Sequence, residues 1–255
     1  MIRRYLPEAG KESQFSKIET ELSQLLIKGG EELGIRLVSS QVEKFLLYLQ
    51  ELQEWGKNIN LTGIRDEREI IIKHFLDSLT CLRLLKELGG EVVDLGTGAG
   101  FPSLPIKIIR PQIELTLLEA REKRTLFLEH IVKILGLKEV KVLWKRVEDF
   151  GHTEERESFD YALCRAVAPL NVILEYGLPL VKVGGFFIAQ KGPHLNREIR
   201  AAQRALEYLG GRIKAVIDLE LPILKQKRCL ISVKKIKTTP RRYSRRPGVP
   251  CKRPL

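Results

Sequence analysis

A glycine-dense stretch that directly follows a short apolar run most constrains how this chain can fold. Residues 91–102 read E-V-V-D-L-G-T-G-A-G-F-P, and a run with helical spacing comes next. Glycine adopts positive φ angles at little steric cost and lets another molecule approach the backbone closely. The first N–H groups of the following helix are expected to point out of the loop as free donors. The stretch therefore predicts a strand, a tight loop and a helix, with a nucleotide-type pocket at the carboxyl edge of a parallel sheet.

Strand-like and helix-like segments alternate from residue 91 onward, which favours an α/β fold whose parallel sheet is covered on both faces. Strands are predicted at 91–95, 113–119, 140–144, 159–164 and 186–190, with a closing pair at 213–221 and 228–233. Helices are predicted at 101–109, 120–135, 170–181 and 196–209. Before residue 90, apolar spacing predicts three helices, at 18–37, 40–56 and 66–88. Ser40 and Glu43 would form a capping box for the second helix, and residues 1–17 are expected to fray.

The excess of positive charge is confined to the C-terminal end of the chain. The 255 residues include 44 Lys and Arg against 32 Asp and Glu, which gives a net charge of +12. Residues 225–255 contain twelve Lys or Arg and no Asp or Glu, so the first 224 residues are balanced. Clustered cations favour a polyanion because binding releases counterions, which predicts a phosphate-binding arm; a solvated tail without function is the alternative. Four prolines after residue 239 predict an extended rather than helical conformation for residues 240–255.

The sequence also argues against a membrane protein, a secreted protein and a metal-binding protein. No apolar run approaches about 20 residues, so no membrane span is expected. The first residues, M-I-R-R-Y, lack the apolar region of a signal peptide. The four cysteines are dispersed without a C-x-x-C pair, which favours free thiols in a reducing cytosol over a metal site or a disulfide set. A cytoplasmic protein with no bound metal is therefore expected.

The glycine loop alone leaves the identity of its ligand open. Its spacing is G-x-G-x-G rather than the G-x-G-x-x-G of dinucleotide enzymes, and the Lys and Ser/Thr of a P-loop are absent. Glu119 ends the next predicted strand, where a carboxylate either accepts hydrogen bonds from ribose hydroxyls or caps the following helix. Asp94 is expected to be structural or to orient the loop by accepting backbone N–H bonds. The loop and the terminal acid together favour a cofactor that contains adenosine.

A set of short stretches resembles one family. D-L-G-T-G-A-G-F-P is similar to the first motif of class I S-adenosylmethionine (SAM) methyltransferases, and the full set resembles the RsmG or GidB guanine-N7 methyltransferases of bacterial 16S rRNA. The resemblance covers about residues 40 to 255. Ser103 and Cys164 depart from the pattern, in which Gly and Ser are common at these positions. The other matching stretches are N-L-T at 60–62, H-F-L-D-S-L at 74–79, L-L-E at 117–119, K-R at 123–124, F-L at 127–128, R-V-E at 146–148, R-A-V-A at 165–168, K-G at 191–192 and the tail to residue 255.

The resemblance implies a class I, Rossmann-like SAM-dependent methyltransferase with a seven-stranded, mostly parallel sheet. Residues 1–90 would form an N-terminal helical region, 91–237 the methyltransferase domain and 238–255 a basic extended tail. The implied reaction transfers the methyl group of SAM to N7 of a guanosine in 16S rRNA, free or within the 30S subunit. A monomer is expected. Because N7 already presents a lone pair, no general base is needed and catalysis is mostly positioning.

Site residues follow from the same resemblance. Glu119, with Ala120 and Arg121, would hold the ribose. Val147 and Glu148 would flank the adenine; the alternative is that Glu148 is a surface acid. Arg165 would steer the target base or a phosphate near the methyl group, or else form a structural ion pair with Asp94 or Glu148. The implied cofactor residues are Asp94, Gly96, Gly98, Gly100, Phe101, Glu119, Ala120, Arg121, Val147, Glu148 and Arg165.

RNA contacts are expected from lysines and arginines, because an aromatic content of 7% favours recognition by charge and shape over base stacking. His74 is predicted to be a satisfied histidine between helices, and Asp77 to cap or pair within the N-terminal helices. Trp55 and Trp144 are predicted to be core residues. The RNA-binding candidates are Lys123, Arg124, Lys191, Arg241, Arg242, Arg245 and Arg246, any of which is otherwise a solvated surface charge.

Other functions stay open at this point. A methyltransferase acting on a small molecule, a protein or another RNA, a non-catalytic RNA-binding module and a nicotinamide dehydrogenase are the alternatives. The basic tail argues against the small-molecule and protein substrates, the intact glycines and Glu119 against the binding module, and the loop spacing against the dehydrogenase. The fourth strand ends in C-R-A and lacks the Asn/Asp-Pro-Pro-aromatic motif of amino-group methylases. Cys164 remains a less favoured candidate for a nucleophile.

Overall fold

The computed structural model describes residues 9–85, 89–165, 167–193 and 195–255, with side chains from residue 18 onward. Three predictions concern positions outside these ranges: the frayed residues before 9, the end of the third helix at 86–88, and Ala166 in the motif after the fourth strand. The described helices are α1 (Ala9–Glu32), α2 (Ser39–Gly56), α3 (67–83), α4 (Ser103–Ile109), α5 (Glu122–Ile134), α6 (Val147–Phe150), α7 (Leu170–Gly177), α8 (Asn196–Ala201), α9 (Gln203–Leu209) and α10 (Val249–Lys252).

Seven strands form one sheet in the order β3-β2-β1-β4-β5-β7-β6. All neighbours are parallel except β7, which pairs antiparallel with β5 and with β6. The chain order reverses between β1 and β4, and ligands of open α/β sheets bind at the carboxyl edge beside such a reversal. The strands are β1 (Gly90–Leu95), β2 (Ile113–Glu119), β3 (Val140–Trp144), β4 (Phe159–Arg165), β5 (Val181–Lys191), β6 (Gly211–Glu220) and β7 (Lys227–Lys235).

The N-terminal helices and one face of the sheet share a single hydrophobic core. Tyr48 of α2 and Phe75 of α3 are fully buried and belong to the same cluster as Leu117 of β2 and Phe127 of α5. A second cluster covers the opposite face, where α7 packs on β4 and β5. The hydrophobic packing is therefore continuous across residue 90. The domain boundary predicted there stays a prediction.

Two details of the N-terminal helices differ from the sequence predictions. The first helix spans Ala9–Glu32 rather than 18–37, so residues 9–17 are helical instead of frayed. It ends at Glu32 because the carbonyl of Gly30 accepts the N–H groups of Leu33 at 3.0 Å and of Ile35 at 2.8 Å and turns the chain. The second helix is capped by Val38, whose N–H donates to the side-chain oxygen of Gln41 at 3.1 Å, so the predicted Ser40 cap is wrong.

The third helical segment is not a uniform α-helix. After an N-cap at Asp66, an α-helical turn at Glu67–Ile70 passes into a π-helical stretch at Ile71–Leu76, then into Asp77–Leu79 and a 3₁₀ turn at Thr80–Arg83. A π-helical stretch adds a residue to the turn and re-aims its side chains, and such stretches are frequent at functional sites. Here it sets His74 and Asp77 against the sheet.

The C-terminal tail is folded onto the domain, so the prediction of an extended arm is wrong. Residues 249–252 form α10, and Tyr243 and Ser244 are buried. Arg156 holds this segment by donating to the carbonyls of Tyr243 at 2.6 Å and Thr239 at 2.7 Å. The proline-rich composition indicated only that a long helix was excluded, which does not prevent a packed irregular chain.

Candidate active site

The glycine loop between β1 and α4 depends on three left-handed backbone positions. Their φ values are +63° at Gly96, +63° at Gly98 and +97° at Gly100. The loop amides are largely bonded within the protein: Gly100 and Phe101 both donate to the carbonyl of Thr97 at 3.0 Å. The expectation of free N–H donors is wrong for these positions. The loop is therefore held by its own hydrogen bonds. It leaves room for a ligand, the cradle, because glycines lack side chains, rather than by presenting free N–H donors.

Asp94 lies under the loop and organises it. The carboxylate is fully buried, and its Oδ2 atom accepts the hydroxyl of Thr97 at 2.7 Å and the hydroxyl of Ser103. Burial raises the pKa of Asp94 to about 7, against the lowering effect of these two hydroxyls. Ser103, where the resembling family commonly has glycine, thus contributes a hydrogen bond. Oδ1 of Asp94 has no partner among the residues that the structure describes.

Glu119 closes the cradle from the end of β2. The side chain is 5% exposed, and Oε1 accepts the N–H of Arg121 at 2.8 Å while Oε2 accepts the N–H of Gly98 at 3.0 Å. Arg124 adds a guanidinium at 4.0 Å. A carboxylate has about four acceptor positions, so each oxygen retains one for a ligand hydroxyl. Ala120 and Arg121 are exposed beside it.

Arg165, at the end of β4, stacks on the glycine loop instead of pairing with the acids expected. Its guanidinium carbon lies 4.8 Å from the ring centroid of Phe101, and the imidazole of His74 stacks on the same ring at 4.7 Å and 19°. The ion-pair partner of Arg165 is Asp77, at 3.8 Å, rather than Asp94 or Glu148. Asp77 therefore pairs with the sheet domain, and the expectation that it pairs within the N-terminal helices is wrong.

His74 is held as a neutral imidazole of defined tautomer. Desolvation by burial and the nearby Arg165 lower the pKa of His74 to about 3. Nδ1 faces Nη2 of Arg165 at 3.1 Å, and a guanidinium only donates, so Nδ1 is the acceptor. Nε2 then carries the proton and donates to Oγ1 of Thr62 at 2.6 Å. Both ring nitrogens are engaged, which agrees with the prediction of a satisfied histidine.

Cys164 is a poor nucleophile. The thiol is 1% exposed, and burial raises its pKa far above the ordinary value, with the nearby Asp94 adding to the effect. Because the thiolate is the nucleophile, a thiol that stays protonated in the interior is unreactive. The residue packs in the core on the α7 face of the sheet.

Glu148, which is expected to lie beside adenine, contacts the tail. Glu148 is 7% exposed, so it is not a surface acid, and its Oε1 accepts the N–H of Gly248 at 3.1 Å. Val147 is half-buried next to it. The contact links α6, directly after β3, to the segment that leads into α10.

The basic residues expected at the RNA divide into two groups. Lys191 is bound to Glu198 at 2.7 Å, and Arg245 pairs with the fully buried Glu175 at 2.5 Å. Arg124 donates to the carbonyl of Asn60 at 3.0 Å. These three are held in internal contacts. The exposed candidates are Lys123, Arg241, Arg242 and Arg246.

Trp144 is an aromatic residue that the sequence prediction misplaced. It is 60% exposed at the end of β3, where its Nε1 atom donates to the carbonyl of Ala120 at 3.1 Å. Its position at the end of an edge strand was the available signal, because one face of an edge strand can remain open. Trp55, by contrast, packs on Phe127 with ring centroids 5.6 Å apart, as predicted.

Within the described ranges, no cluster of three or more His, Cys, Asp or Glu side chains is arranged to hold a metal ion. None of the described helices combines the length and apolarity needed to cross a bilayer. The four cysteines are free thiols.

Comparison with known proteins decides the family. Residues 41–229 match the family model of GidB, rRNA small subunit methyltransferase G. The chain belongs to the GidB family. Proteins named ribosomal RNA small subunit methyltransferase G are 46% identical over 237 residues in Alkaliphilus metalliredigens, covering 91% of this chain and 99% of that one. In Acetivibrio thermocellus the identity is 43% over 238 residues, covering 93% and 98%.

Solved structures share the fold at low identity. The cyclase SpnF has a TM-score of 0.53 and 12% identity, covering 78% of this chain and 97% of that one. A protein from Pyrococcus horikoshii has a TM-score of 0.51 and 16% identity, covering 64% of each chain. The predicted fold class, a class I Rossmann-like methyltransferase with a seven-stranded, mostly parallel sheet, is confirmed. The predicted enzyme class, a SAM-dependent methyltransferase, is confirmed by membership of the GidB family.

The cradle of this GidB-family protein fits SAM. A Cβ atom added to Gly96 would lie 3.4 Å from Val167, so a side chain there would narrow the cradle. Glu119 retains acceptor positions for ribose hydroxyls, and Asp94 has a buried unpartnered oxygen that suits the ammonium donor of the amino-acid end of SAM. The glycine loop, Glu119 and Asp94 thus lie at one edge of the sheet, at the reversal of strand order.

Proposed function

We propose that the protein transfers the methyl group of SAM to N7 of a guanosine in 16S rRNA. The proposal goes beyond the family name, which specifies the small ribosomal subunit rRNA but not the atom. The observation that carries it is that the described side chains at the end of β4 that could act as a base are either neutral or faced by cations. His74 has both nitrogens bonded, the Asp77 carboxylate is faced by two arginines, and the Cys164 thiol is buried and protonated.

A site without a free general base suits an acceptor that needs none. Exocyclic amino groups and carbon atoms require removal of a proton during methylation, whereas guanine N7 attacks with an existing lone pair. SAM supplies an electrophilic methyl group on a sulfonium when it is bound. The protein then has to orient the two reactants and exclude water, and such positioning can contribute about 7–11 kcal/mol to lowering the barrier.

The roles of individual residues belong to the same proposal. Glu119 holds the ribose, Val147 and Glu148 lie on the adenine side, and the glycine loop with Phe101 forms the floor. Arg165 positions the target base or a phosphate. Its backbone is fixed at the end of β4, and its guanidinium lies over the ring of Phe101 in the glycine loop. Asp94 fixes the loop and faces the amino-acid end of the cofactor.

The surface charges support an RNA substrate. Lys123, Arg241, Arg242 and Arg246 are exposed and free to contact phosphates, which carry most of the affinity in such interfaces. We propose that the protein acts in the cytoplasm as a monomer, on 16S rRNA or on the 30S subunit. The tail contributes through these exposed arginines while the rest of it is packed on the domain.

The test is identification of the modified atom. Purified protein is incubated with labelled SAM and 16S rRNA or 30S subunits, and the digested product is analysed for 7-methylguanosine. We expect a single position to carry this nucleoside. Methylation at another atom, or none with either substrate, would contradict the proposal.

The Arg165→Ala variant tests the site within the same assay. Because Arg165 is proposed to act on the target, its loss should lower the single-turnover rate at least tenfold while the affinity for SAM changes by about threefold or less. Equal single-turnover rates for variant and wild type would remove Arg165 from the reaction.

A further inference from the structure

A cavity of about 420 Å³ adjoins the proposed methyl-transfer site. It lies at the carboxyl ends of β4 and β5, and its lining includes His74 and Arg165, the two side chains that stack on Phe101 of the glycine loop. Its volume lies within the range of small-molecule sites, about 300–1,000 Å³. The cavity therefore has the place and the size for one nucleotide beside the cofactor cradle.

Asp77, which also lines the cavity, is a buried carboxylate with loose partners. Its oxygens lie 3.3 Å from Nε of Arg228, 3.3 Å from Nε2 of Gln190 and 3.8 Å from Nη1 of Arg165. Charge-assisted hydrogen bonds are ordinarily about 2.7–2.9 Å long, and a carboxylate has about four acceptor positions. The carboxylate thus retains capacity for donors from a ligand.

Gln190 provides a second acceptor in the same lining. Its Nε2 atom faces three acceptors, the carbonyl of Asp77 at 2.6 Å, Oγ1 of Thr80 at 3.1 Å and the Asp77 carboxylate. This arrangement fixes the orientation of the amide, because a flip would set oxygen against oxygen. The Oε1 atom is then a buried acceptor with no partner in the described part of the chain, on a side chain that is 5% exposed.

Guanine is the base whose edge matches two neighbouring acceptors. Its Watson–Crick edge presents N1–H and the N2 amino group as adjacent donors, whereas adenine alternates donor and acceptor. N7 lies on the opposite, Hoogsteen edge, so recognition of the Watson–Crick edge leaves N7 unobstructed. Lys73, Lys191 and Arg228 line the cavity as well, where they are paired with Glu69, Glu198 and Asp77. They would contact the phosphate or ribose of the same nucleotide only by exchanging these partners.

We propose that Asp77 and Gln190 recognise the target guanosine by accepting hydrogen bonds from its N1–H and N2 amino groups within this cavity. The inference rests on the proposed function and adds the basis of its base specificity. The nucleotide has to leave its stack or lie in a single-stranded segment to enter, as in other enzymes that act on bases.

The experiment replaces the methylated guanosine, once mapped, in a synthetic rRNA fragment that the enzyme accepts. Inosine lacks the N2 amino group and 1-methylguanosine lacks N1–H, but both retain N7. We expect wild-type single-turnover rates at least about tenfold lower with either analogue, because a site built to accept a donor rejects a base that lacks it. In Asp77→Asn the ratio of the guanosine rate to the inosine rate should fall towards one, with SAM affinity unchanged.

Asp66→Asn is the matched control. It makes the same chemical change on the same helical segment, at an exposed N-cap that accepts the N–H of Glu69 at 2.8 Å, and asparagine caps as well as aspartate. This variant should keep the wild-type preference for guanosine. If Asp77→Asn does not fold, the rates of the wild-type protein with the two analogues still test whether the N1–H and N2 amino groups are recognised.

Two results would overturn the inference. Equal wild-type rates with guanosine and inosine would show that the cavity does not recognise the base edge and that its cations hold a phosphate. An unchanged guanosine preference in Asp77→Asn would show that Asp77 only positions Arg165. Absence of 7-methylguanosine with the natural rRNA would instead contradict the proposed function itself, so the two failures are distinguishable.

Discussion

Gly100→Ala tests whether the shape of the glycine loop depends on a missing side chain. Gly100 has a φ of +97°, and a Cβ atom there would lie 2.5 Å from the hydroxyl of Tyr48 and closer still to Leu104. Tyr48 is fully buried, and its hydroxyl donates to the carbonyl of Ala99, so it cannot retreat without losing that bond. The added methyl group therefore has no space to occupy.

The magnitude follows from two costs. A left-handed backbone costs a residue with a Cβ atom about 1–2 kcal/mol. Overpacking of a close-packed interior adds about 1–3 kcal/mol. We therefore expect Gly100→Ala to lower the free energy of unfolding by about 2–5 kcal/mol. Gly136→Ala is the control, because Gly136 has a φ of +60° but nothing within 4 Å of its added Cβ, so only the first cost applies.

The assay is denaturant unfolding of both variants and wild type, with the affinity for SAM measured by calorimetry. Gly100→Ala should lose more stability than Gly136→Ala and should bind SAM more weakly, and adding Tyr48→Phe should recover part of the loss by removing the hydroxyl. Equal losses in the two alanine variants, with unchanged SAM affinity, would refute the steric argument.

Two further predictions concern titration and the tail. Burial and Arg165 lower the pKa of His74 to about 3 in the folded state, against about 6.5 in the unfolded chain. Stability should therefore fall as pH drops from about 7 to 4, by at most about 1.4 kcal/mol per pH unit. Urea unfolding of His74→Gln should lack this part of the pH dependence, and an identical slope would assign it to other groups. Arg245→Ala leaves the fully buried Glu175 unpaired and should cost about 3 kcal/mol of stability, whereas Arg246→Ala should leave stability unchanged and reduce the salt slope of RNA binding by about 0.7–0.9. The reverse pattern would show that the two arginines exchange roles.

Strands and loops that are marked by the local spacing of apolar residues and glycines could be predicted from the sequence. The strand at Ile113–Glu119 and the loop after Leu95 lie where the apolar pattern and the glycines placed them, because burial on both faces of a parallel sheet leaves a local signature. Glu119 beside the loop could also be predicted, because the carboxyl ends of neighbouring parallel strands meet at one edge. These contacts need no knowledge of how distant segments pack.

The environment of Arg165 could not be predicted in the same way. Its partner Asp77 lies 88 positions earlier in the chain, on a helical segment whose π-helical stretch sets the direction of its side chains. Apolar spacing predicts a helix there but not its docking against the ends of β4 and β5. A signal was present, since His74 and Asp77 are three residues apart and place two polar side chains on a largely apolar face.

The tail shows a different limit of sequence reasoning. Its positive charge suggested a free arm, but charge alone does not tell which cations turn inward. Lys235, in β7 just before the tail, is fully buried against Glu157 at 2.9 Å, and Arg245 of the tail is paired with Glu175. The usable signal was Glu175 itself, the one charged residue of the largely apolar helix Leu170–Gly177, which required a cation from elsewhere in the chain.

The N-terminal helices are part of the active site rather than an accessory to it. The hydroxyl of Tyr48 donates to the carbonyl of Ala99 in the glycine loop, and Arg124, beside Glu119, donates to the carbonyl of Asn60. Asp77 of helix α3 accepts a hydrogen bond from Gln190 of β5, so helix α3 forms one side of the proposed guanosine cavity. Because these contacts join the helices to both the cofactor cradle and the cavity, a sheet domain without them would lose the wall on which Arg165 and Phe101 are positioned. The two halves of the chain therefore have to fold together for the methyl donor and its acceptor to meet.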